Sequence, residues 1–252
     1  MRTYPHKPDQ ENVEFNLRTA LEQIRTLTEK FEAAGGKSSN PSFFQILAGA
    51  QTATACGLYA TEQPIAKVEE YVREASKNLA RAIELKVEID PVEFVDIQAA
   101  AVVAGDDNFA ALLAQLPRKR YTSEDVDATE IHFLVAEMFS DLILGRDKEL
   151  TARLAMLKKK LIGKKVSKEE HLWADTLVSI AAAIGAGQQE ALDTALIARE
   201  KDYAKTYRSP DEREEPDSLL DLAGLALLRL ALRRGLKYSG TSVYLAAELL
   251  AA

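Results

Sequence analysis

A single cysteine, Cys56, stands in 252 residues. An intramolecular disulfide is therefore impossible, and a cysteine-rich metal site is excluded. There are three histidines, His6, His132 and His171, and none belongs to an HExxH motif or to a Glu-x-x-His pair of the di-metal bundle type. GxSxG, the Walker lysine motif and a GxGxxG following a strand are all missing. No catalytic centre, cofactor or metal is therefore expected. No apolar run approaches the ~20 residues of a membrane span. The opening MRTYPHKPDQENVEF is polar and carries no stretch of signal-peptide type, so the expected compartment is the cytoplasm.

Glycine and proline are scarce, at 12 and 8 residues, and no convincing period-2 strand or Asn-Gly hairpin signal occurs. What remains is rich in Ala and Leu, which favours helix over sheet. The formal net charge of −7 disfavours non-specific nucleic-acid binding and suits a basic protein partner.

Helix signals follow one another along the chain. Val13, Leu17, Leu21, Ile24, Leu27 and Phe31 share one face, which stops at Gly35-Gly36. Asn40-Pro41 and Asp90-Pro91 each read as an N-cap followed by a first helical proline. Pro64 opens another helix, and Thr122 or Ser123 is the expected cap of the segment ending at LIL. Ser167 with Glu170, and Ser218 with Asp221, read as capping boxes. The expected fold is all-α, with about ten helices stacked as antiparallel pairs. It is expected as one domain over 1–252, with sub-units at 1–116 and 117–252.

An internal echo supports the pairing. AAAVVAG at 99–105 resembles AAAIGAG at 181–187, and LILG at 142–145 lies between them. Turn glycines at 105, 145 and 187 imply helical hairpins with a period of roughly 41 residues, in the range of helical-repeat arrays. One step back, a turn falls near Gln63-Pro64. The aromatic and proline positions of a tetratricopeptide array are absent.

Few side chains invite chemistry. His171 and Asp175, four apart on one helix face, could offer two ligands, but a metal needs three or four. His132 lies between Ile131 and Phe133 at a packing edge. Cys56 sits in an apolar helix with no base to activate it. The six lysines of KKKLIGKKVSK, 158–168, have no interleaved aromatics for base stacking, and Lys158–Lys160 suit the end of a helix.

The segment RSPDEREEPDS, 208–218, stands apart. Between residues 208 and 217, five acids face two arginines, a net of −3, held by Pro210 and Pro216. Prolines limit the freedom lost on binding, and Tyr203 and Tyr207, of a type favoured at interfaces, precede it. Tyr207, Asp211, Glu212, Glu214 and Glu215 are therefore the candidate partner-binding residues, and the partner is a protein with a basic surface. The alternative is a solvated connector.

The C-terminal stretch LAGLALLRLALRRGLKYSGTSVYLAAELL, 222–250, resembles the ending of the immunity protein 49 family. That ending is a small-residue and leucine helix, an Arg-Gly turn, here Arg234-Gly235, and a Ser-x-Tyr-Leu segment, here Ser242, Tyr244 and Leu245. Ala246 stands where the family usually has proline. The helix pair at 183–207 is also similar to the one ahead of the family's acidic loop. The resemblance implies a protein that binds a bacterial polymorphic toxin and protects the cell from it. A helical scaffold unrelated to toxins is the rival reading, and a helical enzyme using His171 and Asp175 a third. Read without the family, Leu222, Leu225, Ala226, Leu228, Arg229 and Leu232 form an apolar band, Gly235 a helix C-cap, and Thr241 or Ser242 the cap of a last short helix sealing the stack.

Overall fold

The computed structural model describes residues 1–121, 129–162, 166–209 and 212–250. Among them the chain is all-α, with ten helices of seven residues or more and no strand. The first three are α1 (Gln10–Ala33), α2 (Pro41–Ala60) and α3 (Ile65–Glu84). They are followed by α4 (Pro91–Ala104), α5 (Asp107–Ala114), α6 (Glu130–Ile143) and α7 (Asp147–Leu161). The rest are α8 (Lys168–Ala186), α9 (Gln189–Thr206), the four-residue α10 (Pro216–Leu219) and α11 (Leu222–Arg233). Short 3₁₀ turns lie at Arg118–Arg120 and Ala247–Leu250.

Local chemistry sets most boundaries. Asn40 accepts from Ser42 N at 3.0 Å, and Asp90 from Val92 N and Glu93 N at 2.8 and 2.9 Å, each ahead of a first helical proline. Ser167 accepts from Glu170 N at 3.0 Å, but the Glu170 side chain turns away to the Thr129 hydroxyl rather than closing a box. Two caps differ from the sequence reading. α11 is capped by Asp221, whose carboxylate accepts from Gly224 N at 2.9 Å. Ser218 lies buried inside α10, its hydroxyl donating to Arg213 O and Glu215 O, because three residues are too few to separate a cap from the helix before it. Thr122 and Ser123 lie outside the described residues, and the cap of α6 is Thr129.

The expected turns occur at Gly105, Gly145 and Gly187, with φ of 75°, 66° and 63°. Gly105 carries a second constraint. The Arg229 guanidinium sits 2.9 Å from where a Cβ would be and donates to Val103 O at 3.0 Å, so a cation of α11 closes the negative end of α4.

Consecutive helices pack as pairs, α2 on α3, α6 on α7 and α8 on α9, and α11 then packs against both α4 and α8. This explains the echo. AAAVVAG and AAAIGAG end the two helices that flank α11, where small side chains allow close approach. α11 is accordingly buried nearly all round from Ala223 to Ala231 rather than along one band, while Leu232 is exposed. Phe94, Phe139, Leu177 and Leu228, all fully buried, lie in one hydrophobic cluster running from Tyr4 to Leu249. Each such side chain contributes about 1.5–3 kcal/mol.

The first residues clasp the last. Arg2 pairs with Glu248 at 2.7 Å, the Tyr4 hydroxyl donates to Leu219 O at 2.8 Å, and Tyr4 and Tyr244 pack ring to ring. His6 is buried with Nδ1 2.8 Å from the Tyr244 hydroxyl and Nε2 3.1 Å from Arg213 O. A carbonyl can only accept, so Nε2 carries the proton and Nδ1 accepts from Tyr244. Tyr244 and Leu245 are thus core residues. Ser242 supports a turn by accepting from Tyr244 N at 3.3 Å, and the last short helix begins only at Ala247, after that turn.

Candidate functional site

The acidic segment is partly a brace and partly a surface. Glu214 is buried, and its carboxylate accepts from Asp9 N and from Arg213 Nε, both at 2.8 Å. Asn16 donates to its carbonyl at 3.0 Å. These bonds pin the segment to the start of α1. Glu212 and Glu215 face solvent, and Asp211 lies outside the described residues. Tyr207 is half-buried, its ring 4.8 Å from that of Tyr203.

Half-buried Pro216 and solvent-exposed Asp217 form one wall of a cleft of about 490 Å³. Its other walls come from α2, α4, α8 and α9. Ala48, Gly49, Thr52 and Ala53 leave the α2 side low, and a Cβ on Gly49 would meet nothing within 4 Å. Trp173 and Tyr207 supply aromatic surface. The charged lining residues are Glu93, Asp96, Asp217, Asp221 and Arg199, four carboxylates against one guanidinium.

That guanidinium is already engaged. Arg199 Nε and Nη2 reach the two oxygens of Asp221 at 2.7 and 2.9 Å, and Nη1 lies 3.3 Å from the Thr176 hydroxyl and 3.5 Å from Trp173 O. Both partners are buried, and the two parallel bonds are the geometry at which arginine excels. Three carboxylates are left without a cation among the described residues. Glu93 accepts from the Gln45 amide. Asp96 and Asp217 have no hydrogen-bonded or ionic side-chain partner there.

Asp96 is crowded and wet at once. Protein surrounds it, yet the cleft leaves its side chain open to water. Loss of bulk solvation, followed by the fields of Asp217, Asp90, Glu93 and Asp221, pushes its carboxyl up to about 8. Cleft water screens part of that repulsion, so the upward direction carries the argument. Crowding by protein, then Glu215 and Asp221, raises Asp217 above its usual range. Glu93 is raised by desolvation against the pull of Gln45.

The other candidates stand elsewhere. His171 and Asp175 are exposed on α8, away from the cleft lining. His132 takes a capping role, accepting from Thr129 N at 3.2 Å, and its ring meets Trp173 edge-on. Cys56 is buried, and desolvation first, then Asp217, pushes its thiol far up, away from thiolate chemistry. Lys158–Lys160 occupy the last turn of α7. Sequence reasoning missed Glu93, Asp96, Trp173 and Arg199. The available signal was the pair of acids interrupting the apolar VEFVDIQAAAVVA, which a buried helix tolerates only where something polar faces it.

The family model described as Immunity protein 49 matches residues 15–249, a span that includes the acidic segment and every wall of the cleft. The chain belongs to the immunity protein 49 family. An immunity protein acts by neutralising a toxin. No curated protein and no solved structure matches the chain. No helix among the described residues is long and apolar enough to cross a membrane.

Proposed function

We propose that this immunity protein protects the cytoplasm by binding a cognate toxin through the acidic face formed by Glu212, Glu215 and the mouth of the cleft, with Tyr207 beside it. The toxin is expected to carry a basic surface, as a nuclease does where its lysines and arginines hold phosphate. The observation that carries this reading is the coexistence of outward acids on a braced segment with cleft carboxylates that have no cation of their own among the described residues. A connector would not need Glu214 and Asn16 to fix its backbone. Surface acids of this kind speed encounter with a basic partner, and their effect weakens with salt.

The test uses candidate toxins encoded in the same genome as this chain. Expressed alone, the cognate toxin should arrest growth, and co-expression of this protein should relieve the arrest. The Glu212→Lys/Glu215→Lys variant should keep the parent's melting temperature while its association slows and loses salt dependence. A folded variant that binds at the parent's rate at every salt concentration would return the segment to the status of a connector. If the protein relieves no toxicity at all, the rival reading as a helical adaptor takes its place.

A further inference from the structure

The cleft combines room for a small organic group with carboxylates that outnumber its cations. Its volume, about 490 Å³, falls in the range of sites for small organic groups, ~300–1,000 Å³. It is therefore larger than a point ion requires. Among the described residues, no three of its carboxylates converge closely enough to ligate one metal ion. The negative charge is spread instead along two walls, with Glu93 and Asp96 on α4 and Asp217 opposite. Trp173 and Tyr207 add aromatic surface, on which a guanidinium stacks better than an ammonium. The small residues of α2 leave the entrance clear, and the one resident guanidinium, Arg199, is fully used by Asp221 and Thr176.

Resting on the reading of the chain as a toxin-binding immunity protein, we infer that the cleft between α2, α4, α9 and α10 is the seat of an arginine side chain projecting from the toxin, gripped by Asp96, Asp217 and Glu93. The acidic segment above attracts the partner, and the cleft selects it. Asp96 adds a proton-linked step. It lies in the field of Asp90, the cap of α4, and of Glu93 on its own helix, of Asp217 and Asp221 across the cleft, and shares the lining with the engaged Arg199 on α9. In the empty cleft these carboxylates favour its protonated form, and an entering guanidinium favours the ionised one. Binding therefore releases the Asp96 proton to solvent, and affinity rises with pH.

Trp173, the only tryptophan, lines the cleft and serves as the reporter. The probes are Nα-acetyl-argininamide, Nα-acetyl-lysinamide and the neutral isostere Nα-acetyl-citrullinamide, titrated into the full chain while Trp173 fluorescence is followed. The arginine compound should bind saturably, the lysine compound more weakly, and citrulline not at all. Affinity for arginine should increase as pH rises above the ordinary carboxylate range. Asp96→Asn, which keeps the side chain's size and removes a repelled charge, should weaken it by roughly tenfold or more and flatten the pH profile. Gly49→Leu places a side chain in open space on a helix, a change that helix propensity favours, and should block the cleft in a protein that melts no lower than the parent. Equal binding of arginine and citrulline, or parent-like binding by Asp96→Asn, would overturn the assignment. In cells, both variants should lose protection against the toxin that the parent chain neutralises. Full protection by a folded Gly49→Leu would remove the toxin from the cleft while leaving the immunity function intact. A parent chain that relieves no toxicity would remove both.

Discussion

Replacing Arg199 with methionine should be among the most damaging single changes in the molecule. The substitution keeps most of the aliphatic stem but strands the Asp221 carboxylate, which is 2% exposed. Asp221 would retain only its bond from Gly224 N, 2.9 Å long, to balance a full charge. Removing one partner of a buried ion pair typically costs about 3–5 kcal/mol. In a chain of this size each kcal/mol lowers the melting temperature by about 2–4 °C, so a fall of roughly 6–20 °C is expected. Asp221→Asn keeps an acceptor for the α11 cap, and combining it with Arg199→Met removes both charges. The double variant should therefore be markedly more stable than the sum of the two single losses implies. Urea denaturation of the four proteins, followed by circular dichroism, measures this coupling. A loss below about 1 kcal/mol in Arg199→Met would refute the premise that the pair is desolvated, as would strict additivity in the cycle.

His6 holds protons less readily in the folded chain than in the unfolded one, chiefly because it is buried. The unfolded state therefore gains protons first as pH falls, and stability should be full above about 6.5 and decline below it. Melting curves between about pH 7.5 and about pH 5 should show a decline that is reduced in His6→Phe. Glu214→Ala should cost about 1–3 kcal/mol because Asp9 N loses its acceptor, whereas the exposed Glu212→Ala should stay within about 0.5 kcal/mol, as thermal unfolding of the two will show. Gly105→Ala forces a side chain into a left-handed backbone and against Arg229, so a loss of at least about 1–2 kcal/mol by denaturant titration is expected.

Much of the fold is legible in the sequence because its signals are local. A proline behind Asn40 or Asp90, or a glycine at 105 or 187, acts within one turn of helix, and the turn positions follow from it. The distribution of the acids is less legible. Glu212, Glu214 and Glu215 look alike in a row, and only the fold shows that Glu214 turns inward to Asp9 while its neighbours do not. The cleft is less legible still. Glu93 and Asp96 are separated from Trp173, Arg199 and Asp217 by some 80 to 120 residues, and no short-range pattern links them. The placement of α11 between α4 and α8 brings these walls together, and helix periodicity does not encode that placement.

The clasp at the chain ends bears on how the protein is made. His6 and Arg213 lie 207 residues apart, and Arg2 and Glu248 lie 246 apart. At ~5–20 residues per second, the early partner leaves the ribosome roughly 10–50 s before the late one. Until then Asp9 and Asn16 have no Glu214 to hold, and the brace between α1 and the acidic segment cannot form. Hairpins such as α2–α3 can form as they emerge, but the acidic surface proposed to meet the toxin is finished last. On the proposed reading, incomplete chains lack the binding surface, and only molecules completed before the toxin arrives can protect.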